Sequence, residues 1–230
     1  MSVELIMELI YTIISGVAFV VGAHLYLHKG NPLYAQMVVC MIGCRFLQGF
    51  FETLLVWDGD DLETLTIAGL GQLAQFLFLI SANYGAIDSL CDDGSRQYLK
   101  YRVIAGVIPL AVVIYFFIIA PEVTDTPLGM AMMLVAVVIL ITAFYYHLKH
   151  LIIKDVDGGF VKNLRIYNFL GVVNCIAFSL EWFSLVGTTR WFIAFILYDI
   201  VTIGFVPALW YAIKPYSYWM KHIDDDIATD

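Results

Sequence analysis

Arg45, Gln48 and Glu52 follow one another at i, i+3 and i+7, so on a helix their side chains fall within about 60° of arc. Three other segments carry polar groups in the same way. Gln72, Gln75 and Asn83 share one helical face, Asn174 and Glu181 stand one heptad apart, and Asp199 is followed at i+3 by Thr202. All lie in otherwise apolar surroundings, where a guanidinium, three carboxyls and several carboxamides can hold a proton, a cation or a small polar ligand. Three carboxylates against one guanidinium leave two negative charges over, so either some carboxyls keep a proton or the site accepts a cation. The predicted ligand- or ion-binding set is Arg45, Gln48, Glu52, Gln72, Gln75, Asn174, Glu181 and Asp199. Within it, Glu181 and Asp199 are the sharper pair. A very short break separates their helices, and two carboxyls a few ångströms apart share a proton as one unit.

The elements that must position these groups are seven apolar stretches separated by six short polar breaks, at about 3–27, 34–57, 64–90, 103–120, 128–152, 160–186 and 190–213. A hydrocarbon core about 30 Å thick takes roughly 20 apolar residues of helix to cross. The chain is 61% hydrophobic and 14% charged, against about 25% charged in a soluble domain, and a soluble core built of seven such stretches would leave almost no polar surface. An all-α integral membrane protein follows: a seven-transmembrane helix bundle over residues 1–214, with a short acidic cytoplasmic tail at 215–230. The first stretch opens with Glu4 and Glu8 rather than a basic segment and has no small-residue cleavage site after it, so it is expected to span rather than to be removed.

Lys29, Arg96, Lys100, Arg102, Lys149, Lys154, Lys162, Arg165, Lys214 and Lys221 all fall on one side of this layout, and only Arg190 on the other. Basic residues collect on the cytoplasmic side of short loops, which places the N-terminus outside and the C-terminus inside, in the cell membrane. The outer rim then carries Glu4, Glu8, Asp58, Asp60, Asp61, Glu63, Glu122 and Asp125. At about 1.5 Å of rise per residue, Glu52 and Glu181 lie about 8–9 Å below the outer boundary, Gln72, Asp199 and Gln75 about 12–16 Å, and Arg45 and Asn174 about 18–20 Å. Charged groups at such depth are costly, face the bundle interior and mark function by default. The alternative is structural: Arg45 and Glu52 as halves of buried ion pairs, with Gln and Asn joining helices.

Other chemistries find little support. His24, His28, His147, His150 and His222 are placed at cytoplasmic helix ends as interfacial anchors, without a carboxylate at depth beside them, so neither a metal site nor haem is expected. Cys40, Cys44, Cys91 and Cys175 read as free thiols. No catalytic motif occurs, and the net charge of −8 argues against nucleic acid as a partner. Microbial rhodopsins share the seven-helix layout, but Ile203 stands where their retinal lysine would follow Asp199, and no lysine is expected inside a span away from its ends. Covalent retinal is thereby excluded, and no cofactor is predicted. The sequence signatures of G-protein-coupled receptors are also missing.

The expected function is a multi-pass sensor or receptor-like protein that binds a small molecule, cation or proton in an outward-facing polar pocket formed by the second, third, sixth and seventh helices. Its partners are the lipid bilayer, a cytoplasmic or membrane protein that receives the signal, and a second copy docked through the fourth and fifth helices, which over 103–119 and 128–143 have essentially no ionisable group at depth. Two alternatives are a proton- or cation-coupled transporter or channel and an accessory subunit of a membrane complex. The sensor is favoured because the inner halves of the spans offer few ionisable residues, Asp88 being the main exception.

Overall fold

The computed structural model describes residues 2–59, 67–119, 127–154, 160–184 and 187–227. Among them are seven long helices and no strand. The helices are α1 (Val3–Tyr26), α2 (Leu33–Asp58), α3 (Ile67–Ala82), α4 (Leu99–Ile119), α5 (Pro127–Ile152), α6 (Phe160–Trp182) and α7 (Thr189–Ile227). Their ends have local causes. Ser2 Oγ accepts from Leu5 N–H at 3.2 Å and caps α1. Gly59, in the left-handed region at φ 87°, closes α2 by turning its N–H onto Leu55 and Val56 carbonyls. Helix α7 continues past the predicted span end at 213 and runs into the predicted acidic tail as far as Ile227. Asp60, Asp61, Glu63, Glu122 and Asp125 of the predicted outer rim, and the break at 155–159, lie outside the described residues.

Five helices are long and apolar enough to cross a membrane: Val3–Tyr26, Leu33–Asp58, Arg96–Ile118, Ala131–Ile152 and Thr189–Ile213. The two remaining predicted spans differ for visible reasons. The α-helical part of α3 is cut short at Ala82, and α6 carries Lys162, Asn163, Arg165, Asn168, Asn174 and Glu181 in 23 residues.

The helices close into a ring in the order α1, α2, α3, α5, α6, α7 and back to α1, with α4 outside it against α5. Polarity is distributed inside out. Arg45, Asn83, His147, His150, Asn168, Asn174 and Thr202 are fully buried, whereas Val20 and Ile118 are 66% and 73% exposed. In lipid, backbone groups are satisfied within each helix and an apolar exterior is required. The outer helix α4 leaves Val103, Val107, Ile114 and Ile118 exposed. Helix α5 has two faces: Met133, Ala136, Leu140, Ala143 and Phe144 are buried in the ring while Leu134, Val135 and Val138 are exposed, and its far end carries the buried His147, Lys149 and His150.

One irregularity positions side chains. After Ala82 the third helix passes through a π turn, Asn83–Ile87, in which Asp88 N–H bonds the Asn83 carbonyl, and then finishes as Asp88–Cys91. Residues five apart on a regular α-helix point about 140° away from each other. The wider π turn, a feature frequent at functional sites, brings Asn83 and Asp88 to the same side, facing α5. The regular α-helix up to Ala82 keeps Asn83 on the buried side with Gln72 and Gln75, and the π turn brings Asp88 round to join it.

Candidate functional site

Arg45 is the centre from which the polar cluster is built. It is fully buried and reaches three other helices. Its Nε donates to Gln75 Oε1 on α3 at 3.1 Å, Nη1 to Thr202 Oγ1 at 2.6 Å and to the Tyr198 carbonyl at 3.4 Å on α7, and Nη2 to Asn174 Oδ1 on α6. The guanidinium also lies 4.5 Å from the Tyr198 ring centroid, a cation–π arrangement. No ion pair to Arg45 occurs among the described residues. The charge is solvated by neutral acceptors, and the reading of Arg45 as half of a direct ion pair is corrected.

Two chains of hydrogen bonds lead from this centre toward carboxyls. Gln75 Nε2 donates to Gln48 Oε1, and Gln48 Nε2 to both oxygens of Glu52 at 3.2 and 3.1 Å. In the second, Gln72 Nε2 donates to Glu181 Oε1 at 2.7 Å while accepting from the Trp182 indole N–H. The Tyr198 hydroxyl is also hydrogen-bonded to Glu181. Arg45, Gln48, Glu52, Gln72, Gln75, Asn174 and Glu181 are thus brought into one connected neighbourhood. The helices arrive there with polar residues on the ring-facing side because the i, i+3, i+7 spacing of α2 keeps Ile42, Arg45 and Gly49 on its buried face.

Asp199 stands apart from this pattern. The buried face of α7 is defined by Tyr198, Val201, Thr202 and Phe205, and Asp199, one residue on from Tyr198, is turned about 100° from it. Arg45 and Glu8 are among the charged groups that reach Asp199, and Glu181 is among those that reach Glu52.

Glu8 is the residue the sequence reading placed elsewhere. It was expected in the outer rim, yet it is 1% exposed and feels Glu52, Glu181 and Asp199. Its helix gives a signal for this: Glu8, Tyr11, Thr12, Ser15 and Ala18 make the buried stripe of α1 at i, i+3, i+4, i+7 spacing. Glu8 thus lies within electrostatic reach of Glu52, Glu181 and Asp199, the last two of which also feel Arg45. Three carboxyl oxygens, Glu8 Oε2, Glu181 Oε2 and Asp199 Oδ1, are buried without a hydrogen-bond partner among the described residues, as is Asn174 Nδ2. Native proteins leave few such atoms, and each costs about 1–3 kcal/mol or more when charged.

A second polar cluster lies at the opposite end of the ring. His147 and His150, expected as interfacial anchors, are fully buried and bonded to Asn168, Asn83 and Asp88. Lys149, expected outside the spans, is 2% exposed and paired with Asp88 and Asp92. Ionisable groups therefore also occupy the end of the ring opposite Arg45. Among the described residues, no group of three or more His, Cys, Asp or Glu could hold a metal ion. Comparison with protein-family models, with curated proteins and with solved structures gives no match.

Proposed function

We propose that the chain crosses the membrane seven times with its N-terminus outside, and that the cluster around Arg45 takes up a proton or a small cation from the outer side. The observation that carries this reading is the set of three buried carboxyl oxygens without partners beside one guanidinium. Four like charges in a low-dielectric site resist simultaneous ionisation, and a proton or cation placed among Glu8, Glu52, Glu181 and Asp199 relieves both the charge and the unmet hydrogen-bonding capacity. The ten-to-one distribution of basic residues supports the orientation.

Receptor-like sensing remains the first reading on a different ground from the one the sequence suggested. Leu79 on α3 and Phe205 on α7, both fully buried, stand between the two polar clusters, and no hydrogen-bond chain joins the clusters among the described residues. Occupancy of the outer cluster then acts by shifting helices. Proton- or cation-coupled transport is the second reading, favoured by the inner ionisable cluster.

Proteoliposomes with an internal pH dye separate the two. Cysteines placed at the exposed Asp58 and Arg190 are expected to react with an impermeant thiol reagent from the outer face, and cysteines at Lys29 and Arg96 from the inner face, which also fixes vesicle orientation. The reverse pattern overturns the topology. Lowering outer pH is expected to change tryptophan fluorescence, because the Trp182 indole N–H donates to the same Gln72 that binds Glu181. Asp199→Asn is expected to abolish the change. Internal pH that follows the gradient in the wild type, but not in Asp199→Asn, selects the transporter. A silent dye and silent fluorescence contradict both.

A further inference from the structure

The cluster at the far end of α3 and α5 has a hydrogen-bond pattern that fixes where its protons are. Asn83 Nδ2 lies 2.9 Å from the Leu79 carbonyl, which accepts only, so Asn83 Oδ1 is the atom that faces His150 Nδ1 at 3.0 Å. Asn168 Nδ2 likewise donates to the Leu164 carbonyl at 3.1 Å, leaving Asn168 Oδ1 against His147 Nδ1 at 3.1 Å. Both imidazoles therefore carry a proton on Nδ1. For His147 that completes the set: its Nε2 lone pair accepts from Asn83 Nδ2 at 3.4 Å, and the ring is neutral. Asn83 Nδ2 also lies 3.1 Å from the Tyr167 hydroxyl on α6.

His150 is different. With Nδ1–H committed to Asn83, its Nε2 lies 2.9 Å from Asp88 Oδ1. A bare ring nitrogen and a carboxylate oxygen are both acceptors and repel, so this contact requires one proton between them, as imidazolium with carboxylate or as imidazole with carboxylic acid. The π turn makes the arrangement possible, since His150 spans it, touching Asn83 at one end and Asp88 at the other.

The surrounding charges leave that proton exchangeable. Lys149 donates to Asp88 Oδ1 and, at 3.3 Å, to Asp92 Oδ2. Arg102 on α4 grips Asp92 through Nε at 2.8 Å and Nη2 at 2.9 Å. Burial raises the Asp92 carboxyl, but the Arg102 hydrogen bond, the Gly94 N–H and Lys149 outweigh it and hold it below the usual carboxylate range, so it is ionised. Two carboxylates and two permanent cations balance, and the shared proton is a surplus positive charge. The other titratable groups near it among the described residues include His147, Tyr146, whose ring centroid is 6.1 Å from that of His150, Tyr145 beside Lys149, Tyr84 against Tyr146, and Tyr167. His150 is sealed, whereas the Asp88 side chain is 24% exposed, which gives the proton a way to water.

We propose that Asp88 and His150 form a proton-binding site at this end of the helices, loaded with one shared proton and exchanging it through Asp88. The site stands on its own geometry and does not depend on the reading of the Arg45 cluster.

Nitrogen-15 NMR of histidine in the full-length protein, reconstituted in lipid, tests it, with His150 assigned by its sequential correlation to Lys149. At neutral pH, His150 is expected to show a protonated Nδ1 and a second proton held at or shared from Nε2, lost together with the Asp88 contact as pH is raised. In Asp88→Asn the new amide donates to Nε2, and His150 is expected to be neutral with Nδ1–H at every pH. A neutral wild-type His150 with its only proton on Nε2, or with a bare Nε2 throughout the titration, overturns the proposal. The wild-type spectrum decides this alone if Asp88→Asn does not fold. Identical pH responses in wild type and Asp88→Asn also overturn it.

Discussion

Arg45→Gln is expected to destabilise the reconstituted protein by about 3–5 kcal/mol, the range for removing one partner from a buried charged network. Three side-chain acceptors, Gln75 Oε1, Asn174 Oδ1 and Thr202 Oγ1, lose a donor that nothing else in their surroundings replaces. Glu181 and Asp199 also lose the positive charge they feel. Because the second effect is electrostatic, Glu181→Gln in the Arg45→Gln background should recover part of the loss. A double-mutant cycle in thermal unfolding measures the recovery. Strictly additive losses would mean that Arg45 and Glu181 do not interact, and the cluster would divide into separate structural contacts. Arg45→Lys is not a mild alternative, since a single ammonium cannot reproduce a fork that reaches three helices.

Gly171→Ala is expected to be the most damaging single-methyl change in the chain. A Cβ at Gly171 would fall inside the His147 imidazole, and that ring has no room to yield. Its two nitrogens are bound to Asn168 and Asn83, and its centroid lies 5.3 Å from that of Tyr167. Overpacking costs about 1–3 kcal/mol, and breaking the ring's buried hydrogen bonds adds about 1–3 kcal/mol for each group left unmet. Trimming the obstacle should help: Gly171→Ala with His147→Ala is expected to unfold closer to the His147→Ala single variant than additivity allows. A Gly171→Ala protein as stable as wild type would show that α5 and α6 do not approach this closely.

These two sites show what the sequence makes legible. Arg45, Gln48 and Glu52 at helical spacing inside an apolar run announce a buried polar face, and hydropathy places the helices that carry it within a few residues. Glu8 lies in an equally regular stripe, but a carboxylate near a chain end has an easy reading as solvated rim, and only packing against α2 and α7 reveals its burial. Asp199 is legible by type and depth, but the buried face of α7 is set by Tyr198, Val201, Thr202 and Phe205, and Asp199 is turned about 100° from Tyr198. The inner cluster was the least legible. A π turn has no periodic signature, and without it Asn83 and Asp88 point different ways, which leaves His150 and Lys149 with no visible partners and reduces them to interfacial residues.

Infrared difference spectroscopy of the reconstituted protein, across about pH 5–8, bears most directly on the claim that the carboxyls around Arg45 accept positive charge. Lowering the pH is expected to raise a protonated-carboxyl band that shrinks in Glu8→Gln, Glu181→Gln and Asp199→Asn. Adding a cation that binds at the same place should instead shift the ionised-carboxylate bands of those residues. Spectra in which the wild type and all three variants respond identically to both treatments would contradict the account.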